Sequence, residues 1–277
     1  MKKNYSPLRY PGGKGQLSEY VLDIIKQNNL VGGTYVEPYA GGSGIAMFLL
    51  LNGYVKRVYI NDVDYSIYSF WYSILNHTEE FINLIQTTDV TINEWERQKN
   101  IFKHNQNHSI LESGFATFFL NRTNRSGILK AGPIGGHSQN SSYSIDCRYN
   151  KSRLIELICN IASKRSSIRL SNLDAIEFFN NYKKYFKKKT LVYLDPPYYK
   201  KGHQLYINFY KHKDHEELAN YIKYNLNCKW ILSYDNEDAI REIYKNITAK
   251  NINISYSISS NKKGKEIMFF SERMIAI

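Results

Sequence analysis

Hydrophobic and polar positions along the chain follow two periods, one typical of short buried strands and one typical of amphipathic helices. Strand-length apolar runs lie at 34–38, 55–60, 168–174, 191–194 and 230–235. Helically spaced apolar positions around them predict helices at 16–28, 45–51, 175–186 and 216–226. Near the C-terminus, 252–259 and 266–270 predict a hairpin that forms an antiparallel edge. The pattern therefore predicts an α/β fold with a largely parallel sheet.

Between residues 65 and 163 the strand signal almost disappears. Helices are predicted there at 65–76, 78–87, 91–104, 115–120 and 149–163. We therefore predict two units: a sheet domain formed by residues 1–74 and 164–277, and a helical domain of residues 75–163 inserted into it.

The strand at 191–194 leads directly into an acid and two prolines, Asp195-Pro196-Pro197-Tyr198. Open α/β sheets bind ligands at the carboxyl ends of their strands, so this acid is a candidate site residue. A carboxylate and a proline-fixed carbonyl can accept the two hydrogens of an exocyclic base amine, which makes its nitrogen more nucleophilic. The tyrosine offers a flat face to a base drawn out of a duplex. The alternative is an ordinary proline-rich turn after a strand.

A glycine-rich turn, Tyr39-Ala40-Gly41-Gly42-Ser43-Gly44, separates the first predicted strand from the next helix. Asp62 follows Gly42 by 20 positions, the spacing at which an acid after the second strand meets ribose hydroxyls. The spelling differs from the G-x-G-x-x-G of dinucleotide sites, which favours an adenosyl ligand without phosphates. Asp174, at the end of a later strand, is either an acceptor for the adenine amine of that ligand or a helix N-cap.

An N-terminal loop at 6–15 carries two glycines before Lys14. The glycines allow the backbone to approach a ligand while the ammonium group points at it. The spelling excludes a P-loop, which would need a glycine in place of Leu8 and a hydroxyl residue in place of Gly15. A purely structural loop is equally consistent with this stretch alone.

The chain is basic, with 37 Lys and Arg against 25 Asp and Glu, a formal net charge of +12 and a pI near 9.3. Such a balance favours a polyanionic partner, although a bias toward Lys, Asn, Ile and Tyr would also produce it. Three isolated cysteines indicate neither a disulfide framework nor a zinc site. With no membrane-length apolar run and no signal-peptide pattern, we expect a cytoplasmic protein of bacterial or phage origin that binds no membrane and no metal.

A polar loop at 121–136 combines basic, amide and glycine residues, among them Arg122, Asn124, Arg125 and Lys130. Guanidinium and amide groups on flexible backbone suit phosphates and base edges in a groove. The alternative is a solvated loop. Lys262 and Lys263 add a basic turn to the predicted C-terminal hairpin.

In their order, these motifs resemble one family, the α-class DNA adenine-N6 methyltransferases of the Dam and DpnII type, or D12 class. The resemblance covers nearly the whole chain and is carried by Tyr10-Pro11-Gly12-Gly13-Lys14, Glu37-Pro38-Tyr39-Ala40-Gly41-Gly42-Ser43-Gly44, Asp62, the loop 121–136 and Asp195-Pro196-Pro197-Tyr198. It implies a Rossmann-like methyltransferase sheet with an inserted helical DNA-recognition domain, S-adenosyl-L-methionine as methyl donor, and flipping of an adenine out of double-stranded DNA. A cognate restriction endonuclease is a further partner that the resemblance allows.

The resemblance also implies residue roles. Asp195 and the Pro196 carbonyl accept the hydrogens of adenine N6, Pro197 completes the rigid turn, and Tyr198 stacks on the base. The cofactor pocket is formed by Tyr10, Pro11, Gly12, Lys14, Glu37, Pro38, Tyr39, Gly41, Gly42, Ser43, Asp62, Asp174 and Asp195. DNA is contacted by Arg122, Asn124, Arg125, Lys130, Lys262 and Lys263. The loop spelling Arg-Thr-Asn-Arg-Ser-Gly departs from the Arg-Tyr-Asn associated with GATC recognition, so no target sequence is predicted.

Two other functions are compatible with parts of this pattern. One is methylation of RNA or of a protein amide, although the relatives that do this more often have Asn in place of Asp195. The other is a catalytically silent DNA-binding regulator, which has no chemical need for an intact Asp195, Tyr198 and glycine turn.

Overall fold

The computed structural model describes residues 4–9, 17–200, 210–255, 263–272 and 274–276. Five residues with predicted roles lie outside these ranges: Tyr10, Pro11, Gly12, Lys14 and Lys262.

Seven strands form a single sheet, as the alternating pattern predicts. Five are parallel: β1 (Thr34–Glu37), β2 (Arg57–Asn61), β3 (Ile168–Ser171), β4 (Thr190–Leu194) and β5 (Lys229–Asp235). β6 (Ala249–Ser255) and β7 (Lys263–Phe270) form an antiparallel hairpin that continues the sheet from β5. The strand order is β3-β2-β1-β4-β5-β7-β6. The predicted Rossmann-like sheet and its antiparallel edge are confirmed.

The helices agree closely with the apolar spacing. They are α1 (Ser18–Gln27), α2 (Gly44–Leu51), α3 (Tyr65–Asn76), α4 (Thr78–Thr87), α5 (Ile92–Lys103), α6 (Ile110–Thr123), α7 (Lys151–Ala162), α8 (Ala175–Tyr182), α9 (His212–Asn225) and α10 (Asp238–Ile243). α6 begins five residues earlier than predicted, because Ser109 and Glu112 form a capping box there. α10 was not predicted, since six residues are too few for a clear helical period.

The predicted inserted helices share a hydrophobic core with one face of the sheet. α3 packs along α6, and aromatic rings such as Phe70 and Phe118 stack between them with centroids 6.0 Å apart. The same buried cluster continues into Val58 and Ile60 of β2. The predicted boundary at residue 75 falls inside α3, because this helix contributes to both parts of the core.

The two edges of the sheet differ in charge. Several acids end or follow strands at its carboxyl edge, among them Glu37, Asp62, Asp174, Asp195, Asp235 and Glu266. Glu266 belongs to this edge because the antiparallel strand β7 starts there, with Glu266 opposite Asp235 in the ladder. Among the described residues, no helix is both long and apolar enough to span a bilayer.

Candidate active site at the carboxyl edge of the sheet

Asp195 lies directly after β4 and is oriented from the neighbouring strand. The hydroxyl of Ser233, on β5, donates to Asp195 Oδ1 at 2.8 Å. The same serine oxygen lies 3.1 Å from the hydroxyl of Tyr193, which is also buried. Because strands β4 and β5 are adjacent and parallel, Ser233 is held by the sheet itself. The carboxylate therefore has a fixed orientation before any substrate contacts it.

The residues after Asp195 are held by two acids that lie opposite each other on β5 and β7. The Asp235 carboxylate accepts from the backbone amides of Tyr199 at 2.9 Å and Lys200 at 3.0 Å. The hydroxyl of Tyr198 donates to Oε1 of the buried Glu266. These contacts fix the turn that Pro196 and Pro197 begin, and both prolines are buried. Tyr198 is only 6% exposed, so its ring is covered by neighbouring parts of the chain.

The glycine turn between β1 and α2 is tied through Gly41, whose φ is +43°. Its amide donates to Asp62 Oδ2 at 2.8 Å, and its carbonyl accepts from the indole of Trp71 at 2.9 Å. Asn61 is buried and joins the ends of three strands, because its side-chain amide donates to the carbonyls of Pro38 and Leu173. Asp62 thus positions the turn, a function that the ribose spacing alone does not reveal.

Glu37 is the most buried acid of the candidate cofactor site. It is 5% exposed, and its Oε1 accepts from the Ala46 amide in the first turn of α2 at 3.3 Å. Among the described residues, its Oε2 has no hydrogen-bond partner. Burial, opposed by hydrogen bonds and reinforced by the negative charge of Asp195, raises the pKa of Glu37 to about 7. Burial and the charge of Asp64 raise the pKa of Asp62 to about 7 as well.

An aromatic cluster joins the two halves of the site. The hydroxyls of Tyr39, in the glycine turn, and Tyr210, before α9, lie 2.9 Å apart. The ring of Tyr210 contacts His215, which also packs against Tyr199. His215 is fully buried, its Nδ1 lies 2.8 Å from the Tyr234 hydroxyl, and burial lowers its pKa to about 4. His215 is therefore a buried residue of α9, and its imidazole is neutral.

Asp174 is an exposed N-cap of α8, and its carboxylate accepts from the Ile176 amide at 2.8 Å. Of the two interpretations open at this position, the structure shows the helix cap. Its location after β3 also keeps it at the same edge as Asp62.

The segment 121–136 is hydrogen-bonded to the N-terminal segment. Asn121 accepts from the Arg9 amide at 2.6 Å and donates to its carbonyl at 2.9 Å. At Gly127, with φ +75°, a Cβ would lie 2.1 Å from the Arg9 carbonyl oxygen, so only glycine fits there. The loop therefore starts beside the chain that leads into the predicted glycine-lysine motif.

Asn124 is a structural residue of this loop, which corrects its predicted role as a DNA contact. Its side chain is 0% exposed, accepts from the indole of Trp95 at 2.6 Å and donates to the carbonyls of Ile128 and Leu129. With these bonds made inside the fold, its amide has no route to a base.

Of the basic residues predicted for a loop at 121–136, Arg122 lies in the last turn of α6, so the loop itself begins only after Thr123. Arg122 is half-buried, and its Nε donates to the Arg148 carbonyl at 2.7 Å; burial and the charge of Arg9 lower its pKa to about 10. Arg125 and Lys130 are exposed. Lys263 begins β7, and nothing is described of its side chain.

Several residues that shape this site carried no clear sequence signal. Ser233, Trp71, Asn61, Glu266 and Asp235 are spread over 206 positions and meet only because their strands and helices are neighbours. For Asp235 the sequence did contain one signal: like Asp195, it stands at the end of a predicted strand. Among the described residues, no group of three or more His, Cys, Asp or Glu is arranged to hold a metal ion.

Comparison with known proteins identifies the family of this chain. Residues 10–258 match the D12 class N6 adenine-specific DNA methyltransferase family. Over 207 residues the chain is 23% identical to the Type II methyltransferase M.MjaIII of Methanocaldococcus jannaschii, covering 69% of this chain and 68% of that protein. Two structures of the rRNA methyltransferase aviRa from Streptomyces viridochromogenes align with 94% of this chain and 85% of theirs, at 11% identity and TM-scores of 0.40 and 0.38. Since the family match spans most of the sequence, the chain belongs to the D12 class N6 adenine-specific DNA methyltransferases.

Proposed function

We propose that this protein transfers a methyl group from S-adenosyl-L-methionine to N6 of an adenine flipped out of double-stranded DNA at a specific sequence. The observation that carries the proposal is an acidic sheet edge inside a basic protein. Carboxylates at this edge suit a cationic methyl donor, while the net charge of +12 suits the DNA polyanion outside.

The cofactor site fits the residues around the glycine turn. Left-handed backbone at Gly41 and Ser43, on either side of Gly42, brings the chain close to a ligand at the start of α2, and the unpartnered Oε2 of Glu37 offers a buried acceptor. We assign Asp62, whose carboxylate already holds Gly41, to the ribose hydroxyls of the cofactor. We assign Pro38, Tyr39, Asp174 and Asp195 to the same pocket, together with Tyr10, Pro11, Gly12 and Lys14 from the N-terminal motif.

The bound donor supplies an electrophilic methyl group on a good leaving group. Asp195 and the Pro196 carbonyl accept hydrogen bonds from the two hydrogens of adenine N6 and direct its lone pair at that methyl group. When the methyl group joins N6, one of these hydrogens is released to solvent as a proton. Pro197 keeps the turn rigid, and Tyr198 stacks on the base once its ring is uncovered. Because Ser233 and Asp235 hold this turn, the acceptors need no rearrangement during transfer, and catalysis rests on placement and exclusion of water.

DNA contacts are assigned to the exposed part of the recognition loop, Arg125 and Lys130, with Arg122 behind them and Lys262 and Lys263 from the hairpin turn. Exposed guanidinium and ammonium groups bind phosphates or base edges without first breaking internal bonds. We propose residues 75–163 as the recognition unit, built on the core it shares with the sheet. The name of the Methanocaldococcus relative supports a cognate restriction endonuclease as the cellular partner.

The test is expression in a bacterial host without DNA methylation, followed by single-molecule sequencing of its genome. We expect N6-methyladenine at one short motif, and none in cells that express Asp195→Ala at equal level. Unmodified genomic DNA from the wild type, with cofactor binding intact in calorimetry, would contradict DNA as the substrate.

A further inference from the structure

The amino edge of the sheet is the chemical opposite of its carboxyl edge. The loops that lead into the five parallel strands contain no Asp or Glu, and the loop 183–189, before β4, alone carries five lysines. Lys56 precedes β2, and Lys164 and Arg165 precede β3, at the same edge. All but Lys183 of these side chains are exposed. The acid that comes to this edge from the hairpin side is Glu272, after β7.

Helix dipoles explain only some of this charge. α8 ends at Tyr182, so Lys183 and Lys184 lie at a helix C-terminus, where cations are stabilised. The effect falls off within one turn, so it does not reach Lys187, Lys188 and Lys189. These three form a run of like charge that repels itself and has no stabilising partner in the described fold.

Beside this run, a cleft of about 400 Å³ opens between the ends of α8 and α9. Its lining combines Lys183 and Lys184 with the amide side chains of Asn180 and Asn225 and with Tyr224, which is 79% exposed. Ammonium groups, amides and an exposed aromatic ring are the groups that contact phosphates and sugars of nucleic acids.

We infer that this basic amino-edge surface is a second DNA-binding site, which holds the backbone of a duplex segment other than the one being methylated. The seven residues of β5 span ~20 Å at ~3.3 Å per residue, about the width of a duplex. A duplex seated over Asp195 at the carboxyl edge therefore does not reach the lysines at the opposite edge. Contacts there are with phosphates only and are independent of sequence.

A bridging assay tests this inference. Beads that carry one unlabelled duplex are incubated with the protein and a fluorescent duplex of unrelated sequence at low salt, and captured fluorescence is measured. The test variant is Lys187→Gln/Lys188→Gln/Lys189→Gln. The control, Lys103→Gln/Lys213→Gln/Lys250→Gln, removes the same charge from exposed lysines that lie away from the amino edge, on α5, α9 and β6.

We expect the wild type and the control to capture the second duplex. The fluorescence captured by the test variant should be at least tenfold lower than that captured by the wild type. The salt dependence of non-specific binding should also fall, by a slope of up to ~2.7 for three lost phosphate contacts. Equal capture by the two variants would overturn the inference, because a protein dimer that bridges the duplexes without the amino-edge lysines gives this result. No capture by the wild type would also overturn it. Since capture requires no methyl transfer, a failure of the proposed function would appear separately, as unmodified DNA with bridging intact.

Discussion

Replacing Ser233 with alanine removes the hydroxyl that donates to Asp195 Oδ1 at 2.8 Å. The serine is buried within β5, so the substitution leaves the strand and its ladder in place. Its Oγ also lies within hydrogen-bond distance of the Tyr193 hydroxyl, so the variant removes the connection between a buried phenol and the Asp195 carboxylate. We expect the loss to appear in the chemical step, because Asp195 then samples orientations in which it does not accept from adenine N6.

The size of the effect follows from the kind of bond. A hydrogen bond to a charged group contributes roughly 1.5–3 kcal/mol, and each ~1.4 kcal/mol is a factor of ten in rate. If most of that energy orients Asp195 in the transition state, kcat falls ~10- to 150-fold while KM for DNA and for the cofactor changes less than about threefold. Ser233→Thr keeps the hydroxyl and should recover most of the activity.

The assay is transfer of a labelled methyl group to a duplex that carries the mapped motif, with kcat and KM determined separately. Ser69→Ala is the matched control: Ser69 is also a fully buried serine, but its Oγ has no hydrogen-bond partner among the described residues. We expect normal kcat for that control. A kcat of Ser233→Ala within about threefold of the wild type, in a protein that melts normally, would refute the positioning of Asp195 by Ser233.

Four further predictions concern the site and its loop. Asp195→Ala should abolish methylation in the radiolabel assay and leave DNA affinity within a few-fold, whereas residual activity near wild type would remove its catalytic assignment. Arg125→Ala and Lys130→Ala should each lower the salt slope of DNA binding by ~1, and unchanged slopes in filter-binding would take both out of the interface. Asn124→Ala should lower the free energy of unfolding by ~2–4 kcal/mol in urea titrations with the salt slope unchanged, because a buried, fully bonded amide is lost. The pKa of Glu37 is about 7 in the fold against 4.5 ordinarily, so the native state holds more protons than the unfolded state between these two pH values. The free energy of unfolding should therefore fall by up to about 3 kcal/mol as the pH rises from 4.5 to about 7. In Glu37→Gln this decrease of the free energy of unfolding with pH should be smaller.

Most of the secondary structure was predictable because its periods are long and regular. The helices at 65–76 and 78–87 have the bounds expected from apolar spacing. The start of α6 was missed because the prediction began at the apolar run 115–120. The signal for the true start was the capping box of Ser109 and Glu112. Asp195 was found because strand ends are read from local sequence. Ser233 was not found, because an isolated serine within a strand has no distinguishing neighbour.

The sequence by itself determined the order of strands and helices, the position of Asp195 at a strand end, the glycine turn before α2 and the family. Each depends on residues close together in the chain. Tertiary structure decided which side chains act together. It placed Ser233 against Asp195 and turned the amide of Asn124 into the interior of the fold. The physical reason is that strand adjacency and burial set hydrogen-bond partners, and both depend on contacts between residues far apart in the sequence.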